Sequence, residues 1–119
     1  MLKSLLSTDP PETTFDLATL AHLLSSERRL LILSALSERP TDIGTLSTTV
    51  AAAIEDVDQD ELTSDEKKRT YVSLYQTHLP TLADHDIVAS DGGEYRLTGR
   101  GHRIAAIADH LAELTEGDR

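Results

Sequence analysis

Three consecutive cations, Lys67, Lys68 and Arg69, follow a run of acids in EDVDQDELTSDEKKRTYVSLY, residues 55–75. Cations trailed at helical spacing by short polar side chains suit a helix lying in the major groove of DNA. The cations meet phosphate oxygens, and the polar groups meet base edges. Ser73, Gln76 and Thr77 supply such groups one and two turns further on. Gln76 has the two-pronged amide that pairs with adenine, and Arg69 suits a guanine or a phosphate. Thr45 and Thr48, together with Thr49, offer hydroxyls to backbone phosphate from an earlier segment. The competing account is plainer: the cations only balance the acids before them, in pairs four apart such as Asp65 with Arg69.

Other chemistries fit less well. Asp56, Asp58 and Asp60 have the spacing of the first three ligands of a calcium loop. The sixth position of such a loop needs glycine and holds Glu61; the twelfth needs glutamate and holds Lys67. The chain has no cysteine, which removes disulfides, thiolate metal sites and cysteine nucleophiles. No two of His22, His78, His85, His102 and His110 are four apart, the spacing that sets two ligands on one helix face. Neither a metal nor a cofactor is expected, and His78 is expected as a hydrogen-bonding residue at the core edge. With no nucleophile elbow and no glycine-rich phosphate loop, the expectation is a protein that is not an enzyme. Arg28 and Arg29 open an apolar helix, where they would pair with Glu27, Glu38 or a helix end.

The elements that must position these residues follow from spacing. DPPETTF, from Asp9, opens a helix or tight turn, with Phe15, Leu17, Leu20, Leu23 and Leu24 as an apolar stripe. A second helix starts after Ser25 or Ser26 and carries Leu30, Leu33 and Leu36 or Ser37 on one side. Pro40 ends it, and Thr41 caps a third helix with Ile43, Leu46, Val50 and Ile54 on its face. Thr63 and Glu66 have capping-box spacing for a fourth helix over about residues 64–85. Its predicted apolar face is Val72, Tyr75, Leu79 and Leu82, with a kink at Pro80. That face makes Tyr75 a core residue, and Tyr95 is read as core by strand alternation. IVAS, DGGE and YRLT read as a hairpin turning at Gly92 and Gly93, with Arg96 its one cation, near Asp91 and Glu94. In the last helix Ile104, Ile107, Leu111 and Leu114 form a narrow seam, read as a dimer interface.

Composition bounds the whole. At 119 residues the chain fits one domain, and 21 acidic against 11 basic residues leave a net charge of -10. Such an acid excess over a normally patterned core suits a protein of high-salt cytoplasm, as in halophilic archaea, where screening weakens self-repulsion. The opening MLKSLLST is too short an apolar run for a signal peptide, and no run approaches the ~18 residues of a membrane span. A cytoplasmic protein without a membrane partner is expected.

The order of three helices, a long fourth and a hairpin is that of a winged helix-turn-helix. SSERRLLILSAL resembles the first core helix of winged-helix regulators of the arsenic-repressor type, and TDIGTLSTTV resembles their second. HLPTLADHDIVASDGGEYRLTGRG resembles the end of their recognition helix and the wing. KKRTYVSLYQTHLPTLAD is more similar still to a winged-helix domain of unknown function found in haloarchaeal proteins. The resemblance covers about residues 17–101. It departs at Asp86, where glycine is usual, and at Thr81, where a lysine follows the proline. It implies a homodimeric regulator that binds double-stranded DNA through the helix at 64–85. The expected division is an N-terminal arm at 1–14, a winged helix-turn-helix at 15–98 and a dimerisation helix at 99–119. The alternative is a winged-helix module that binds another protein and no DNA.

Overall fold

The computed structural model describes residues 16–116, with side chains described through Leu114. The expected arm at 1–14, its apolar residues Leu2, Leu5 and Leu6, and Phe15 lie outside the described residues. The first four helices begin where a side chain takes up free amides. Asp16 caps α1 (Leu17–Leu23), accepting from the Thr19 amide at 2.7 Å. Ser26 caps α2 (Glu27–Glu38). After Pro40 the chain runs through a two-residue strand, β1 (Thr41–Asp42), into α3 (Ile43–Glu55). The cap of α3 is Asp42 and not Thr41. A carboxylate at 2.8 Å from the Thr45 amide outcompetes a hydroxyl, and Thr41 instead bonds the Arg39 carbonyl.

The acidic connector is exposed from Glu55 to Glu61 and holds a short 3-10 turn, Gln59–Glu61. Leu62 pins it by packing on Ala51 and Ala52. Thr63 and Glu66 then form the expected reciprocal cap of α4 (Ser64–Ser73), with bonds of 3.0 and 2.9 Å. Helix continues without a break through a π turn, Leu74–His78, into α5 (Leu79–Asp84).

At the end of α5 the Asp86 amide bonds the Ala83 carbonyl and the Ile87 amide bonds the Leu82 carbonyl, both at 2.9 Å. This is a Schellman cap, and Asp86 takes the left-handed position (φ 60°) that glycine usually fills. Two strands follow, β2 (Val88–Asp91) and β3 (Glu94–Leu97), joined by Gly92 and Gly93 with φ of 60° and 89°. Two successive positive φ angles are what a two-residue hairpin turn requires. β1 adds to the other edge of β3, giving an antiparallel sheet of order β1-β3-β2 with Thr41 opposite Tyr95.

The chain closes with α6 (Gly99–Glu116), whose start lies against the Ile87 carbonyl. A Cβ on Gly101 would come within 2.1 Å of that oxygen, so only glycine fits. Thr98 ties this corner together: its hydroxyl donates to the Asp86 carbonyl at 2.6 Å and accepts from the Gly101 amide at 2.9 Å. One core joins α1, α2, α3, the π turn, α5 and α6 to the sheet, with Leu23, Ile32, Leu46, Val50, Leu82 and Ile87 fully buried. Among the described residues no helix is long and apolar enough to cross a membrane.

The helical run 64–84 departs from its expected face. Val72 and Tyr75 are exposed, by 39% and 60%, and the buried line is Thr70, Leu74, Leu79 and Leu82. Leu74 and Leu79 are five apart, an interval that shares a face only across a π turn, where the Leu79 amide bonds the Leu74 carbonyl. Pro80 accounts for the location. It has no N–H for the Gln76 carbonyl, and its ring crowds that oxygen, so widening the turn just before it removes the clash. The spacing 72, 75, 79, 82 is a regular helical stripe that the chain does not use. Tyr95 is half-buried against the core, as expected.

Candidate nucleic-acid interface

The exposed side of 64–78 is the face opposite Thr70 and Leu74. Lys67, Lys68 and Arg69 are all exposed on its leading turn. Among the described residues none of the three forms an ion pair, so Asp65 does not neutralise Arg69. Successive residues turn by about 100°, so the cations fan around the helix: Lys67 and Lys68 border the groove toward α3 with Tyr71, and Lys68 and Arg69 flank Val72. Gln76 and Thr77 are exposed about two turns beyond Arg69, and Ser73 is half-buried.

The two threonines of α3 are placed differently from expectation. Thr45 donates its hydroxyl to the Asp42 carboxylate at 3.0 Å, and Thr48 donates to the Gly44 carbonyl at 3.0 Å. Both protons are committed within α3. Hydrogen bonds from the Thr45 amide and then its hydroxyl hold the Asp42 carboxyl below its ordinary pKa. A charged carboxylate thus occupies the N-terminus of α3, where a phosphate would otherwise be welcomed. Thr48 still lines a shallow groove between α3 and α4, with Gly44, Lys67, Lys68 and Tyr71.

In the wing, Arg96 is exposed on β3 opposite Ala89. Glu94 stands directly between Asp42 on β1 and Asp91 on β2. Three carboxylates therefore cross the sheet in one row, an arrangement that repels itself and phosphate alike.

Spacing missed the aromatic surface. Tyr71, exposed by 41%, stacks loosely on Tyr75, with ring centroids 6.4 Å apart and planes 20° from parallel. With Val72 they put an apolar patch beside Lys68. The signal in the sequence was Pro80, whose demand for a widened turn takes Val72 and Tyr75 off the core side.

Behind this face the helical run is held by a buried arginine. Arg29 is 6% exposed and donates to the carbonyls of Leu23 at 2.9 Å and His22 at 2.6 Å, the end of α1. It fulfils the expected pairing with a helix end. Its Nη1 lies 3.3 Å from His78 Nδ1. A guanidinium can only donate, so Nδ1 accepts and the imidazole is neutral with its proton on Nε2. Burial, then the charges of Arg29 and Arg28, hold His78 below the ordinary histidine pKa. His78 is half-buried at the core edge, as its position in the sequence suggested. Among the described residues no group of three metal-ligating side chains converges.

On α6 the expected seam divides. Ile104 is 3% exposed and belongs to the core of its own domain, because α6 lies across α2 at that turn. Ile107, Leu111 and Leu114 are exposed by 40%, 47% and 59%.

Helix order, the β1-β3-β2 sheet and the long helical run 64–84 fit a winged-helix domain. The family model described as Domain of unknown function (DUF7344) matches residues 21–98, and the chain belongs to that family. Searches among curated proteins and among solved structures gave no match.

Proposed function

We propose that the protein is a sequence-specific transcriptional regulator, not an enzyme, that binds double-stranded DNA as a homodimer in high-salt cytoplasm. The helical run 64–84 would enter the major groove. The observation that carries this reading is the exposure of Lys67, Lys68 and Arg69, unpaired, at the start of that run in a chain rich in carboxylates to pair with. The exposed strip Ile107, Leu111 and Leu114 supports pairing of two copies through α6. The arsenic-repressor-type resemblance points the same way.

Net charge sets the working conditions. DNA binding usually draws affinity from counterion release, which fades at molar salt. A chain of charge -10 then relies on shape, water release and base contacts. The acid row of Asp42, Glu94 and Asp91 favours one alternative, a winged-helix module that docks a basic protein partner.

The test is fluorescence anisotropy with duplex from upstream of the protein's own gene, in about 0.5 to 3 M KCl. The comparator has Lys67, Lys68 and Arg69 changed to alanine. Saturable binding that the triple change abolishes supports the reading. A folded protein that binds no duplex at any salt sinks it and favours the protein-docking module.

A further inference from the structure

We infer that Tyr71, Val72 and Tyr75 read thymine through its C5-methyl group, making this aromatic face the specificity-determining part of the DNA surface. The inference rests on the DNA-binding reading above.

Three observations converge. First, the side chains are large, apolar and outward on a helix whose opposite side already supplies the core, so packing does not explain them. Second, Tyr71 lines one groove with Lys67 and Lys68, Val72 lines another with Lys68 and Arg69, and Tyr75 stacks on Tyr71. Phosphates held by those cations would bring the major-groove floor against the rings. Third, the two rings are already stacked, so little rotamer freedom is lost on contact.

The chemistry selects thymine. In the major groove it alone presents a methyl group, and apolar side chains recognise it by burial. That term survives high salt, whereas attraction between Lys67 or Lys68 and phosphate is screened within about 3 Å at 1 M. A carboxylate-rich chain working in concentrated salt would therefore draw its selectivity from methyl burial. A basic protein partner is the competing occupant, but the adjoining side chains are cations, which disfavour it.

The experiment selects duplexes from a random pool in about 1 M KCl, then remakes the enriched duplex with deoxyuridine for thymidine. Loss of one buried methyl lowers affinity about fourfold, and two about fifteenfold. Wild type is expected to show that loss, and Tyr71→Ala/Tyr75→Ala to bind more weakly with a thymine-to-uracil ratio near one. Both tyrosines are exposed, so the double variant is expected to fold, which circular dichroism checks. Enrichment with equal affinity for the two duplexes overturns the inference and leaves DNA binding standing. A variant that keeps wild-type affinity also overturns it and points to a protein contact. No enrichment at all overturns the DNA reading itself.

Discussion

Arg29 is the residue whose removal should most disturb the scaffold behind the cationic face. It is a buried cation whose partners are dipoles: the carbonyls of His22 and Leu23 at the end of α1, and the His78 imidazole. Burial pushes its guanidinium below the ordinary arginine value, yet it remains charged. Hydrogen bonds from a charged group contribute about 1.5–3 kcal/mol each. The His22 carbonyl lies in an exposed residue and regains water when the arginine goes, so the two bonds should not count in full. Arg29→Ala is expected to cost about 2–4 kcal/mol, a fall in Tm of roughly 8–15 °C. Arg29→Met keeps most of the volume and loses only the bonds, so it separates packing from polarity. It should still cost about 1.5 kcal/mol or more. The opposing expectation is that desolvating the cation cancels what its bonds return. Thermal unfolding followed by circular dichroism in concentrated KCl decides between them. A methionine variant as stable as wild type would mean that the bonds of Arg29 only offset the cost of burying its charge.

Four further outcomes are expected. Leu74→Ala should cost about 2–5 kcal/mol in denaturant unfolding and Val72→Ala under about 0.5, since only Leu74 is buried; the reverse order would restore the regular stripe. His78 has a folded pKa below its unfolded value of about 6.5, so its contribution is complete above that pH and is lost as pH falls below it toward the folded value. His78→Gln should flatten the stability profile below about pH 6.5, by at most about 1.4 kcal/mol per pH unit, read by denaturant unfolding across pH. Glu94→Gln relieves the acid row and should raise Tm by about 1–4 °C in dilute buffer and by less in 2 M KCl, read by melting curves at both salts. Changing Ile107, Leu111 and Leu114 together to glutamine should convert a dimer to monomer in sedimentation equilibrium, while Ile107 alone should weaken it at least tenfold.

Local rules carried much of the fold. Ser26, Thr63 with Glu66, and the Gly92–Gly93 turn act where their spacing placed them, because caps and tight turns depend on a few adjacent residues. Thr41 against Asp42 was a contest between neighbours that only the strand pairing of Thr41 with Tyr95 resolves. The core face of the long helix was misread for a different reason. A π turn resets the register by one residue, and the sequence holds two stripes, 72-75-79-82 and 70-74-79-82, of which the first is more regular. Burial chose the second, and Val72 and Tyr75 lie at the surface as a result. Within the site, the exposed cations were legible from their run. The commitment of the Thr45 and Thr48 hydroxyls was not, since it depends on which acceptor the local backbone brings within 3.0 Å.

In the proposed complex Lys67, Lys68, Arg69, Tyr71 and Tyr75 all lie against duplex DNA. The most direct measurement is amide chemical-shift mapping of the labelled protein titrated with its upstream duplex in about 1 M KCl. Shifts concentrated at residues 64–77, with smaller ones at the wing and none along 107–114, are the predicted result. Shifts confined to the acid row at 42, 91 and 94, or to none of the chain, would contradict it.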